Sequence, residues 1–357
     1  IRCRPTASTA AAPCPRAVEI DFCPSTAERD LPVERIQLSN TIFEGANTVY
    51  LLGHDAPGPT TLVDTGIAIS AVETQLREAL AGRDVAVEDL DRLLLTHFHQ
   101  DHAGLAGTFQ AESGAEVLVH EADAPLVARE PAAVADTERG FREAFDRWGM
   151  PEDRREPLLA ILEGYEGWSS EAPEVTILGN GDEVTAGERT LEVVHLPGHT
   201  AGHVGFRDRA ADRLFAGDAL LPHYTPNVGG ADLRVDRPLA TYVASLERLL
   251  DLAPARVFPG HREPIDEPLA RAREILSHHR ERTREVVSVL REHGPADAWT
   301  VSAHLFGDLE GIHILHGPGE AAAHLDHLVD AGVVSREDGV YEIAGQVDID
   351  AVLPAAA

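Results

Sequence analysis

Residues 96–102 read Thr96-His97-Phe98-His99-Gln100-Asp101-His102, and four of these seven side chains can bind a metal. The approach, Leu93-Leu94-Leu95, is an apolar run that reads as a buried strand. The exit, Ala103-Gly104-Leu105-Ala106-Gly107, is built of small residues that let a helix start close to the strand end. In extended chain His97 and His99 point the same way, because side chains alternate. Asp101 and His102 follow the turn and can point elsewhere. The spacing therefore suggests two pairs of ligands serving two neighbouring metals. A carboxylate and three imidazoles this close together are hard to place without a cation.

Three further stretches complete the pattern. They are Leu196-Pro197-Gly198-His199-Thr200-Ala201-Gly202-His203, Leu214-Phe215-Ala216-Gly217-Asp218 and Phe258-Pro259-Gly260-His261. Each is an apolar run ending in glycine and a ligand, as expected of residues presented at strand ends. With the first motif, in this order, they resemble the metallo-β-lactamase superfamily over roughly residues 36 to 276. The resemblance implies an α/β fold, an αββα four-layer sandwich. It implies that His97, His99 and His199 hold one metal, that Asp101, His102 and His261 hold the other, and that Asp218 bridges them. Zinc is the first expectation for two such divalent ions, and the same donors also accept iron or manganese. In such sites ions ~3.5–4 Å apart share a water and lower its pKa. A bridging hydroxide then attacks the substrate, so Asp101 and Asp218 count as catalytic as well as metal-binding.

Composition narrows the setting. The chain has 357 residues, 43 % of them apolar, enough for one large domain and a small one. No run of 18 apolar residues offers a transmembrane helix. Thirty basic residues, all arginine, face 60 acidic ones, for a net charge of −30. We read this as the surface of a protein from an extreme halophile. In molar salt the Debye length is about 3 Å, and surface carboxylates hardly repel one another. The same charge argues against nucleic acid as a partner. Cys3, Cys14 and Cys23 all precede residue 30 in a spacing that fits no zinc motif. The cysteine-free remainder points to a reducing cytoplasm.

Residues 1–30, rich in Ala, Pro, Thr and Ser, read as a disordered tail without a signal-peptide core. The hydrolase domain is expected over 31–276. Ile36-Gln37-Leu38 and Asn47–Leu52 form its first hairpin, and Thr61–Gly66 resembles the family's buried Asp-Thr-Gly turn. Asp64 is expected to orient a ligand from behind. His120 reads as mostly structural, and His203 as a supporting or hairpin residue. A helical insertion is expected over about 123–170, with Phe141, Phe145 and Trp148 on one helix face. That face packs on the core, covers the site, or does both; Tyr165 and Trp168 add to the apolar surface. After Asp218, the loop Leu221-Pro222-His223-Tyr224-Thr225-Pro226-Asn227 offers His223 and Tyr224 as candidates for substrate contact or proton donation.

The C-terminal part, 277–350, has winged-helix order. A long helix over Pro268–His293 leads in, followed by helices near Val301–Phe306 and Glu320–Ala331. The hairpin pairs Val333-Val334-Ser335 with Val340–Ile343. From His278-His279-Arg280 onward it resembles the C-terminal domain of lactamase-like hydrolases, including mitochondrial endoribonucleases. The helix from Glu320 carries no Arg, so it reads as a packing or homodimer surface rather than a nucleic-acid reader. No metal ligand lies there, and it is expected to be dispensable for chemistry.

These readings converge on a dinuclear metal-dependent hydrolase of a small carbonyl substrate, an acyl thioester or ester. A metal-dependent endoribonuclease is the first alternative. A nucleic-acid-binding regulator and an iron-dependent oxygen-using enzyme are others. Flavodiiron proteins replace the second histidine with glutamate, whereas His99 is intact; persulfide dioxygenases bind one iron through fewer ligands.

Overall fold

The computed structural model describes residues 33–39, 46–345 and 352. The expected tail over 1–30, its three cysteines and residues 346–350 lie outside the described residues, as does the side chain of Tyr165.

The first half of the chain builds one sheet. Its elements are β1 (Glu34–Ser39), β2 (Ala46–Leu52), β3 (Thr61–Val63), α1 (Ser70–Ala81), β4 (Arg92–Leu94), α2 (Gln100–Ala103), α3 (Ala106–Ser113) and β5 (Glu116–His120). The insertion then supplies α4 (Ala124–Val127), α5 (Pro131–Trp148) and α6 (Glu152–Glu166) before β6 (Val175–Leu178) closes the sheet. Strand order is β1 to β6, antiparallel to β3 and parallel from β3 onward.

The second half builds a five-stranded sheet from β7 (Glu183–Ala186), β8 (Arg189–His195), β9 (Val204–Asp208), β10 (Arg213–Gly217), α7 (Pro238–Leu252) and β11 (Arg256–Pro259). Its pairs are antiparallel except β10 with β11.

Strand alternation sorts the side chains into layers. In β2, Tyr50 and Leu52 face the second sheet, while Val49 and Leu51 face α1 and α3. Around β4, Leu94 points inward between Leu93 and Leu95. From the other sheet Phe206, Phe215 and Phe258 meet them, and the rings of Tyr50, Phe215 and Phe258 lie 5.2–5.5 Å apart. Outside the second sheet, Val194 and Leu214 pack on Leu246 and Leu249 of α7. Helices thus cover both outer faces of two stacked sheets. Each fully buried Leu or Phe contributes about 1.5–3 kcal/mol relative to exposure, which fixes the register of these strands.

The rest of the chain is α8 (Pro268–His293), α9 (Ala298–Phe306), α10 (His313–Asp330) and the hairpin β12 (Val334–Glu337) and β13 (Val340–Ile343). The expected order of three helices and a hairpin is present. The separation is not: α8 runs unbroken past residue 276. Its Ile275 packs on the α7 layer and its Val286 and Leu290 on the C-terminal helices. Phe141, Phe145 and Trp148 of α5 belong to that same C-terminal cluster, with Val301, Leu325 and Tyr341. The aromatic face of the insertion is therefore a packing surface for the C-terminal helices.

One helix start also differs. The run Gly317-Pro318-Gly319 looks like a breaker, and the sequence pattern starts the helix at Glu320, yet α10 begins at His313. The glycine has a reason to be there. A Cβ on Gly319 would lie 2.3 Å from Gly230 Cα, so only bare backbone lets α10 approach the loop after Asn227.

Candidate metal centre

All four motifs end at one edge of the two sheets. His97 follows β4, α2 carries Asp101 and His102, Asp218 follows β10, and His261 follows β11. His199 sits in the loop between β8 and β9. Three groups form there: His97, His99 and His199; His97, His102 and Asp218; Asp101, His102 and His261, each with ligand atoms within 4.8 Å of one another. The structure thus brings together all seven residues expected from the sequence.

His99 Nδ1 lies 3.0 Å from both His97 Nε2 and His199 Nε2. Nitrogens around a tetrahedral zinc with ~2.05 Å bonds stand about 3.3 Å apart, close to this spacing. On the other side, His261 Nε2 is 3.3 Å from Asp101 Oδ2 and 3.4 Å from Asp218 Oδ2, and His102 Nε2 is 3.4 Å from Asp218 Oδ1. Asp218 Oδ2 also lies 3.7 Å from His199 Nε2, so its carboxylate spans both groups.

The donor set fits cations better than it fits itself. His102 Nε2, His261 Nε2 and Asp218 Oδ1 are buried and carry no hydrogen bond of acceptable geometry. Such orphaned atoms are costly unless something binds them. Electrostatics points the same way. Burial, then neighbouring imidazoles, hold His97 and His99 well below the ordinary histidine range. Burial also opposes charging His102 and His261, but Asp218 and Asp101 overcome it and raise both, His261 to about 10. Asp218 and Asp101 are in turn depressed despite burial, by His261 and His102. Two buried carboxylates thus demand positive charge, which protons supply where metals do not.

A second ring of contacts fixes each imidazole. Asp64 Oδ2 accepts from His102 Nδ1 at 2.8 Å and from Thr96 Oγ1 at 2.9 Å. Thr96 Oγ1 has its proton committed there, so at 3.1 Å it accepts from His97 Nδ1. The Asn227 carbonyl accepts from His199 Nδ1 at 2.9 Å. In each ring the remaining nitrogen, Nε2, faces the centre, where its lone pair would serve a cation in place of a proton. Asn47 Nδ2 donates to Asp101 Oδ2 at 3.0 Å. His203 Nε2 accepts the backbone N–H of Asp218 at 3.0 Å, and its ring stacks on His97. His120 stacks on His195 instead. Gly260 is required here, since a Cβ would lie 2.4 Å from His102 Cε1.

The two loop candidates part company. Tyr224 lines the cavity above the centre, and its carbonyl accepts from Arg271 Nη2 at 2.9 Å. His223 lies outside that lining; its exposed side chain pairs with Glu263. Neighbours in one loop thus take different surroundings.

Asp123 is the residue that sequence reading missed. Fully buried, it accepts from Phe98 N, Thr200 Oγ1 and Gly202 N, so it ties the first motif to the second. Burial raises its carboxyl to about 6 against the pull of Arg234, which also lies over the Phe98 ring. Its only signal was position, just past a strand ending in His120. Asn227 escaped for a similar reason, because a backbone carbonyl leaves no trace in residue type.

The centre floors a cavity of about 700 Å³. Its walls come from α4, α5, α6 and the loop after Asp218, and also from Ile312, Leu315 and His316 at the start of α10. The C-terminal segment, expected to be dispensable for chemistry, forms part of the cavity wall.

The chain matches the family model described as the metallo-beta-lactamase superfamily over residues 42–261. It is 32 % identical to the probable metallo-hydrolase YqjP of Bacillus subtilis, over 82 % of this chain and 91 % of that one. It is 28 % identical to the acyl-coenzyme A thioesterase MBLAC2 of Homo sapiens, over 56 % of this chain and 68 % of that one. The crystal structure of a metallo-beta-lactamase family protein from Thermus thermophilus, TTHA1429, superposes with a TM-score of 0.76 at 30 % identity, covering 87 % of this chain and 98 % of that one.

Proposed function

Since this chain belongs to the metallo-β-lactamase superfamily, we propose that it is a dinuclear metallo-hydrolase of acyl thioesters or related esters, with zinc the favoured metal. One observation carries the reading: the His/Asp cluster floors a cavity whose inner wall is mostly apolar, with Leu126, Val134, Phe141, Leu162 and Leu233. The likeness to acyl-coenzyme A thioesterases supports it.

When bound, the metal pair supplies an acidified water and polarises the substrate carbonyl. The chain's own residues do the rest. Asp64, Thr96 and Asn227 fix three imidazoles in the ligating tautomer. Asn47 and His203 hold Asp101 and the Asp218 backbone in place, so the site needs little reorganisation. Tyr224, on the cavity wall, is the side chain we assign to donate a proton to the leaving thiolate or alkoxide. His223, turned toward Glu263, has no part in this reading.

RNA is the second reading, and two features weigh against it. Asp136, Glu138 and Glu163 stand exposed at the cavity rim. In winged-helix order α10 would be the reading helix, yet its Ala321, Ala322, Leu325 and Leu328 are buried in the body.

The test is one panel in molar KCl with zinc, iron or manganese. It comprises acyl-CoA, small acyl thioesters, lactones, bis-p-nitrophenyl phosphate and single-stranded RNA. Metal-dependent turnover of thioesters or esters is expected, with two metal equivalents by elemental analysis. RNA cleavage abolished by Asp218→Ala, with no ester turnover, would replace this reading with the second.

A further inference from the structure

We infer that the apolar arm of the cavity, between α5, α6 and α10, is a subsite for the linear hydrocarbon chain of the acyl group, and that Gly140 is the residue that keeps it open. The inference rests on the hydrolase reading for the identity of the chain's head, not for the existence of the arm.

Gly140 sits in the interior of α5 and lines the cavity. Glycine is the poorest helix former after proline, so an interior glycine needs a cause. Two causes are usual: a left-handed backbone, or a close approach by a neighbour. Neither applies. Its φ is not among the positive ones, and a Cβ built there would meet nothing nearer than Leu233 Cδ1 at 3.9 Å. By contrast, Gly319 and Gly260 are both hemmed in by backbone or site atoms. The space above Gly140 is therefore left free by the fold itself.

The surroundings say what would fill it. Val134 and Phe141, on one helical face of α5, line the same cavity as Leu162 of α6 and Ile312, the residue before α10. All four side chains are buried or half-buried. The charged lining residues of α5 and α6, Asp136, Glu138 and Glu163, are exposed, while Arg129, Asp232 and Arg234 line the cavity from the loops. The arm is continuous with the polar floor of His99, Asp101, His199 and Asp218. A ligand that is polar at one end and apolar along its length matches this gradient, and a linear acyl group has that form.

The test is binding rather than turnover. Acetate, butyrate, hexanoate and octanoate are titrated calorimetrically into the zinc-loaded full chain in molar KCl. Affinity is expected to rise about fourfold per methylene until the arm is full. In Gly140→Leu, acetate should bind as before while octanoate loses most of its advantage. Gly140→Ala should melt higher than the parent and keep most of the gain. If Gly140→Leu does not fold, Val134→Trp, on the same helix and also lining the cavity, serves in its place. Octanoate binding no tighter than acetate, or unchanged in the blocked variant that folds, overturns the inference. Chain-dependent binding without any thioester turnover would leave the subsite standing and remove the hydrolase reading. Turnover indifferent to chain length would do the reverse.

Discussion

Asp64 accepts the Nδ1–H of His102 at 2.8 Å while its own backbone is held at φ 59°. A non-glycine residue in the left-handed region is strained, and here the strain coincides with a positioning role. The Asp-Thr-Gly turn aims a buried carboxylate at the back of an imidazole. Asp64→Asn keeps the shape and removes the charge. We expect the fold to persist and the affinity for one of two metals to fall 10- to 100-fold. Competition with a chromophoric chelator measures this; unchanged affinity for both metals would refute the assignment.

Asp218 is expected to matter through both groups of ligands. Asp218→Ala should cut turnover by orders of magnitude and lower metal content. His203→Ala should act differently. It removes the acceptor for the Asp218 N–H and leaves a void beside His97, so stability should fall by roughly 2–4 kcal/mol. Denaturant melts beside metal analysis separate the two effects.

Acid should destabilise the protein through a site remote from the metals. His279 and His324 face each other at 3.4 Å, and Thr283 bonds His324. Burial pushes His279 down to about 3 and His324 well below its usual range. Both rings stay neutral when folded and take protons when unfolded. Their stabilisation is complete above pH 6.5 and is lost as pH falls toward their folded values, at up to about 1.4 kcal/mol per pH unit for each. Urea melts between pH 7 and pH 4.5 should show a shallower loss in His279→Leu than in the parent.

Truncation after Ser277 should not be benign. It would strip Val286, Leu290, Val301 and Leu325 from the cluster that covers Phe145 and Trp148. It would also remove Ile312, Leu315 and His316 from the cavity wall. We expect exposed apolar surface, seen as dye binding, and loss of turnover. A truncated chain with full turnover would show that the C-terminal wall is idle.

The net charge of −30 sets a salt dependence. Self-repulsion extends about 10 Å at 0.1 M salt and about 3 Å at 1 M. Melting temperature should rise steadily from 0.1 to 2 M KCl, and a flat profile would exclude adaptation to molar salt.

The metal centre was legible in the sequence because four motifs stand in the order the resemblance requires, and the apolar runs before them become strands whose ends the sheet aligns. The resemblance of those motifs implied His97, His99, Asp101, His102, His199, Asp218 and His261, and the fold brings the seven together. The buried strand at Leu93–Leu95 was legible too, but that Leu94 and Phe215 share one core while Leu93 and Leu214 join others was seen only in the fold. Tertiary structure alone decided what local pattern does not encode. Asp123 joins two motifs, reaching Gly202 across 79 residues of chain, and Asn227 orients His199 through a carbonyl that every residue possesses. His223 and Tyr224, neighbours in one rigid loop, take opposite surroundings because one meets Glu263 and the other the cavity. The C-terminal helices read as a separate module because their periodicity records only that one face is buried, not against what. The partner proved to be the insertion, and both line the cavity over the candidate metal centre.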